Sequence, residues 1–292
     1  VVNYKNLYPN SLGLLYSAIA FYLGWKPFCD EGIIMGLAPY GNSQAKIKGT
    51  NKTYYDLFKD IICLNKNNPL QYEINKKWIA YHIKRDVWVS KEFIKIFGKP
   101  KKYSSKITKH HMNIAKALQD RLEYVVCKQL KYLKKIYKIE NLCLAGGVAL
   151  NCSLNGRIKK EKIFKNIFIQ PASGDAGISY GSCLVSTLKR KKLKTKRINN
   201  FFTGTRESER IIKKNLIKRK IKFKKLNNKL LHNEISKKLL EGKIIGVFRG
   251  PAEFGPRALG NRSIISKPYP ERMKDHLNKN VKFREFFRPF AP

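Results

Sequence analysis

Asn141-Leu-Cys-Leu-Ala-Gly-Gly-Val-Ala-Leu-Asn151 is the stretch on which the fold turns. Asn141 to Ala145 reads as a short buried strand, and Gly146-Gly147 follows at once. A strand that runs through paired glycines into a helix presents bare backbone N–H groups at the helix N-terminus, a natural seat for phosphate. Asn151 and Asn155 fall in the next turns, placed to orient a ribose or a phosphate. The unit then recurs, with Asn166-Ile-Phe-Ile-Gln170 as strand, Pro171-Ala-Ser-Gly-Asp-Ala-Gly177 as loop and Ile178 to Leu188 as helix. Alternation of this kind defines an α/β fold. Asp175 sits between two glycine turns at the carboxyl end of a strand, where open α/β sheets place ligands. A carboxylate there is open to three readings: holding a cation, accepting a proton, or capping the next helix.

Upstream, Ser11 to Gly24 is apolar on nearly every face, with a cap at Asn10 or Ser11 and a glycine stop, and predicts a buried helix. Asp30 to Gly41 carries small residues at Gly36, Ala38 and Gly41 that permit close packing. Residues 46–108 are rich in lysine and aromatics, show no clear period and yield no chemistry. His82 in this stretch reads as an ordinary surface or core histidine. From His110-His111, apolar residues at Ile114, Leu118, Leu122, Val125, Val126, Leu130 and Leu133 recur at helical spacing to about Lys135. The two histidines point about 100° apart on a helix, which argues against a joint metal site.

Downstream, Lys189 to Asn200 is a charge run without apolar period and reads as a solvated linker. A helix over Glu207–Lys218, a lysine-rich strand around Ile221–Lys225 and a helix near Asn233–Glu241 are predicted to follow. They lead to a buried strand at Ile244–Phe248 and the start of another at Ser263–Ile265. Between those strands lies Glu253-Phe-Gly-Pro-Arg-Ala-Leu-Gly-Asn-Arg-Ser-Ile264, where Gly255 and Gly260 bracket Arg257 and Arg262. Arginine offers a rigid fork of donors matched to phosphate or carboxylate, so this reads as an anion-binding loop held out by two strands. Asn278, Lys282, Arg284 and Arg288 form a second basic cluster beyond it. The structural alternative is a solvated turn whose arginines pair with surface carboxylates.

The 292 residues, 43% hydrophobic and 12% aromatic, suffice for one large or two ordinary domains with a real core. The formal charge of +41 suggests a nucleic-acid or anionic-membrane partner. Lysines spread along nearly the whole chain together with asparagine and isoleucine, however, point to residue-usage drift rather than one binding patch. The 6 cysteines form no C-x-x-C pair and lie mostly in apolar runs, which predicts reduced, buried thiols in a cytoplasmic protein. There is no apolar run of transmembrane length and no signal-peptide layout. With no initiator Met and an abrupt stop at Pro292, the chain reads as a fragment.

Taken in order, Ser11-Leu-Gly-Leu-Leu-Tyr-Ser17, Met35-Gly-Leu-Ala-Pro-Tyr-Gly41, Leu144 to Asn151, Pro171 to Gly177, Glu253 to Ile264 and the Phe-Arg-Pro-Phe-Ala-Pro ending resemble the O-carbamoyltransferases of the nodulation-factor and antibiotic-tailoring type. The resemblance implies an α/β fold with part of an actin/hexokinase-like (ASKHA) domain at 1–188. After the basic linker at 189–200 comes, at 201–292, part of an α+β domain similar to threonylcarbamoyl-adenylate synthase. It implies ATP-dependent transfer of a carbamoyl group from carbamoyl phosphate, via carbamoyl-adenylate, to a hydroxyl of a small-molecule or saccharide acceptor. Implied roles are carbamoyl phosphate ligation by Arg257, Lys282 and Arg288, supported by Arg262 and Asn261. Gly146, Gly147, Asn151 and Gly13 would face the nucleotide, and Asp175 would be catalytic and a metal ligand. ATP and a divalent metal are the implied cofactors, the metal iron-type or Mg for the nucleotide; neither membrane nor nucleic acid is expected as a partner. Departures are Pro251, where many members carry a basic residue, and Ile33, where lysine is common. The family's opening histidine motif would precede Val1, so the chain alone is expected to be inactive. A tRNA threonylcarbamoyl-transfer or hydrogenase-maturation relative, and a non-catalytic nucleic-acid binder, are the alternatives.

Overall fold

The computed structural model describes residues 4–190 and 200–291, which gather into two compact units. One ends at Ile169 and takes in Phe287–Pro289; the other runs from Gln170 to Phe286. Most of the predicted linker, 191–199, lies outside the described residues.

The first unit is a mixed α/β body whose elements are α1 (Leu12–Tyr22), α2 (Glu31–Leu37), α3 (Tyr54–Ile61), β1 (Ile62–Leu64), β2 (Tyr72–Ile74), α4 (Lys91–Phe97), α5 (Lys109–Tyr137), β3 (Asn141–Leu144), α6 (Cys152–Lys160) and β4 (Asn166–Ile169). Ser11 caps α1 by accepting the Leu14 N–H at 3.2 Å, and the helix is buried on almost every face, as its composition requires. The long helix α5 turns Ile114, Leu118, Leu122 and Val125 into one core with α1, α2 and α3, the apolar stripe that its period predicts. Strands β3 and β4 pair in parallel, Leu142 against Ile167 and Leu144 against Ile169, with α6 as the crossover.

Three expectations need correction here. Residues 46–108, where no period is visible, supply α3, α4 and the antiparallel β1–β2 pair, and Phe58, Ile61, Ile62, Ile74 and Phe93 are among the most deeply buried side chains. Elements this short span too few turns for a period to show; the legible signals were their caps, the Thr53–Asp56 capping box and Ser90. Nor is β3 a buried strand: no residue of it or of β4 is buried, and Cys143 and Phe168 are exposed. The cysteines are free, but Cys29, Cys143, Cys152 and Cys183 are exposed and Cys127 alone is buried.

The second unit holds α7 (Ala176–Arg190), α8 (Glu209–Lys218), α9 (Asn228–Leu240), β5 (Ile245–Phe248), β6 (Arg262–Ile265) and α10 (Met273–Asn280). Strands β5 and β6 pair antiparallel with Phe248 opposite Arg262, so the loop between them is held out as expected. Ile221–Lys225 makes no ladder and is not a strand. Ile221 and Phe223 would share one face of a strand, but both are exposed and no described strand pairs with the segment. No residue of α7, α8 or α9 is buried. Among the described residues no helix is long and apolar enough to cross a membrane.

Candidate functional site

The loop between β5 and β6 is organised by one carboxylate. Glu253 Oε1 accepts the backbone N–H groups of Leu259 at 2.8 Å, Asn261 at 2.8 Å and Arg262 at 3.1 Å. These bonds, that from Leu259 first, hold its carboxyl down at about 2. Asn261, 7% exposed, donates its amide to Pro251 O at 2.7 Å and so closes the base of the loop. The two arginines, equivalent in sequence, then part company. Arg262 is consumed internally: Nη1 donates to the carbonyls of Arg249, Gly250 and Asn261, and the guanidinium lies 3.5 Å from the centroid of Phe248. Arg257 is exposed and makes no hydrogen bond or ion pair with the described residues. Among the described residues neither arginine pairs with a surface carboxylate.

The same unit brings this loop against the Pro171–Gly177 motif. Gly255 has a φ of 125°, open to glycine, and a Cβ there would stand 2.9 Å from Pro171 O. Phe254 meets the ring of Tyr180 in α7, centroids 6.3 Å apart. Asp175 lies exposed just ahead of α7, its carbonyl accepting from Ile178 N–H at 3.0 Å. Lys282 is exposed, while Arg284 Nε binds Asn278 Oδ1 at 2.7 Å and shapes the segment around it. Arg288 belongs to the first unit.

In the first unit, Gly146 has a φ of 96° and is followed by a single 3₁₀ turn, Gly147–Leu150, before α6. Gly13 of α1 packs on this turn, its missing Cβ 3.6 Å from Val148. A Cβ on Gly146 or Gly147 would meet nothing within 4 Å, so the turn is open. Asn151 is fully engaged: its Oδ1 caps α6 through Leu154 N–H at 3.0 Å, and its amide pairs reciprocally with Gln119 at 2.9 and 3.1 Å. Gln119 also accepts from buried Tyr16 Oη at 2.9 Å and donates to Glu123 at 2.7 Å. Burial, then the charges of Glu123 and Glu31, push the Tyr16 hydroxyl's pKa up, so it stays a donor. Asn155 donates to Ala149 O at 2.8 Å, while its Oδ1 is shut from solvent without a partner.

His110 and His111 do structural work at the start of α5. His110 bridges Tyr54 Oη at 2.6 Å and Phe97 O at 2.7 Å; His111 Nδ1 accepts the Thr108 N–H at 3.0 Å as the cap. Among the described residues no three metal-ligating side chains gather. Glu253 and Gln119 escaped the sequence reading because their partners are backbone groups or residues far along the chain.

Two family models match the chain, carbamoyltransferase N-terminus over residues 1–184 and carbamoyltransferase C-terminus over 236–292. The chain belongs to the carbamoyltransferase family. It is 37% identical over 98% of its length to an uncharacterized protein of Synechocystis, of which it covers 46%. It is 36% identical over 97% to nodulation protein NolNO of Sinorhizobium fredii, of which it covers 39%. To nodulation protein NolO of Bradyrhizobium diazoefficiens it is 34% identical over 97%, covering 48%. The chain thus spans half or less of these relatives.

Proposed function

We propose that the whole protein hydrolyses carbamoyl phosphate to carbamate and inorganic phosphate, joins the carbamate to ATP as carbamoyl-adenylate with release of pyrophosphate, and passes the carbamoyl group to a hydroxyl of a small-molecule or saccharide acceptor with release of AMP. The observation that carries this reading is the free Arg257 on a loop clamped by Glu253, within a carbamoyltransferase chain. Arg262 and Asn261 spend their donors on the loop's own carbonyls, so their part is to hold the loop in shape while Arg257 binds phosphate. Lys282, in the same unit as Arg257, is a further proposed phosphate ligand. A preset cation stabilises the charge on a departing phosphate at no reorganisation cost during the reaction.

The nucleotide is assigned to the turn at Gly146 and Gly147, which leaves room over bare backbone, with Gly13 buttressing it. Asn151, held at both ends of its amide, sets the start of α6 and shapes that seat. The parallel β3–α6–β4 unit supports an actin/hexokinase-like part, and the β5–β6 pair with α10 supports a part similar to threonylcarbamoyl-adenylate synthase. Asp175 is the proposed catalytic carboxylate. A divalent metal takes several donors, and among the described residues no three metal-ligating side chains gather at Asp175. The chain spans 50% or less of the curated relatives it matches.

The test is ATP–pyrophosphate exchange dependent on carbamoyl phosphate, measured on the full gene product that contains this chain. Exchange present in the wild type and abolished in Arg257→Ala supports the reading. A folded wild type that shows none, with divalent cation supplied, overturns it.

A further inference from the structure

Two polar side chains next to the arginine loop have nothing to bind. Ser173 is 8% exposed and its Oγ lacks a hydrogen-bond partner; both Nε2 and Oε1 of Gln170 are shut from solvent and equally unpartnered. Buried polar groups are nearly always satisfied, and those that are not ask for an explanation. Both residues belong to the segment that leads into α7. Gln170 Oε1 lies 3.6 Å from where a Cβ on Gly177 would stand, which puts its carboxamide against the first turn of that helix. In that first turn the N–H groups of Gly177 and Ile178 donate to the carbonyls of Gly174 and Asp175, each at 3.0 Å, and not to the Gln170 carboxamide. The Arg257 loop closes on the same segment, Gly255 against Pro171 and Phe254 against Tyr180.

A carboxamide offers one acceptor oxygen and two N–H donors. A carbamoyl group is a primary amide as well, so two such groups pair reciprocally, each donating one N–H and accepting one. Gln119 and Asn151 already make such a pair in this protein. We infer that Gln170 is the specificity-determining residue for the carbamoyl group: its Oε1 accepts the carbamoyl N–H, its Nε2 donates to the carbamoyl oxygen, and Ser173 Oγ supplies a second donor. This rests on the proposed function and adds how the enzyme tells a carbamoyl from an acetyl group. The two are nearly isosteric, but acetyl has no N–H to give, and a site built to hydrogen-bond a substrate N–H rejects the analogue without it.

The experiment uses the full gene product and two phosphate donors that differ only in this group. Carbamoyl phosphate supports exchange with a KM, and acetyl phosphate competes with an inhibition constant; the ratio of the two is the selectivity. Gln170→Leu, and the isosteric Gln170→Glu as a second variant, are expected to cut that ratio about tenfold or more, chiefly by raising KM for carbamoyl phosphate. Because both constants are read on the same folded fraction, a lower yield of folded variant does not move the ratio. A ratio unchanged in both variants, with exchange still lost in Arg257→Ala, overturns the role of Gln170 and leaves the adenylating activity standing. No exchange in folded wild type overturns the proposed function and this inference with it.

Discussion

At the scale of single residues, Glu253 and the two arginines divide structure from binding. Arg262→Ala removes donors from three carbonyls and a stacked contact with Phe248, so it is expected to destabilise the second unit by about 1–3 kcal/mol. Arg257→Ala touches no internal partner and is expected to stay within about 0.5 kcal/mol of wild type. Denaturant unfolding of the two variants checks the contrast. Glu253 gives a pH test with a definite sign. Its carboxyl is held below the ordinary 4.5, so its hold on the loop is complete above 4.5 and lost as the pH falls through about 2. A ¹³C NMR titration of that carboxyl should therefore have its midpoint near 2, and Glu253→Gln should weaken carbamoyl phosphate binding by about tenfold. The sequence marked this loop as anion-binding but left Arg257 and Arg262 alike. Three backbone N–H groups converging on one oxygen leave no trace in residue spacing.

At the scale of elements, glycines at two turns carry opposite loads. A Cβ on Gly41 would stand 2.1 Å from Met112 O in α5, so Gly41→Ala must push the turn after α2 off that helix. A loss of about 1–3 kcal/mol in denaturant unfolding is expected. A Cβ on Gly147 meets nothing, so Gly147→Ala should leave stability unchanged while weakening nucleotide binding, read by equilibrium titration with ATP. The start of α5 supplies the element's pH dependence. Burial, then His110 and Lys101, lower the His111 pKa from 6.5 to about 4. The unfolded chain therefore takes up a proton that the native cap refuses, and stability should fall from pH 6.5 down to about 4, then level off. Replacing His111 by Gln should flatten that part of the thermal-melt profile. Helix α5 was legible because its apolar stripe is long; α3, α4 and the β1–β2 pair were not, because they are short and owe their places to the core they join.

At the scale of the whole molecule, burial is uneven. The core gathers α1, α2, α3, α4 and α5 of the first unit, whereas α7, α8 and α9 bury no residue. Amide hydrogen exchange is expected to be slowest in α1 and α5 and fastest across α7, α8 and α9, because opening those helices exposes little apolar surface. The +41 charge is spread along the chain, and few carboxylates meet it in ion pairs, most of them exposed and of small energetic weight.

What the sequence determined by itself is local: the strand, Gly-Gly, helix order, the cap at Ser11, the turn chemistry of Glu253–Ile264 and, through six ordered motifs, the family. Each of these depends on backbone preference or on neighbours a few residues away. The tertiary structure decided which arginine is free, that Asn151 is locked by Gln119, and that Gln170 and Ser173 are buried without partners. Hydrogen-bond satisfaction and burial are set by groups tens of residues apart, and no local pattern of residue types encodes them.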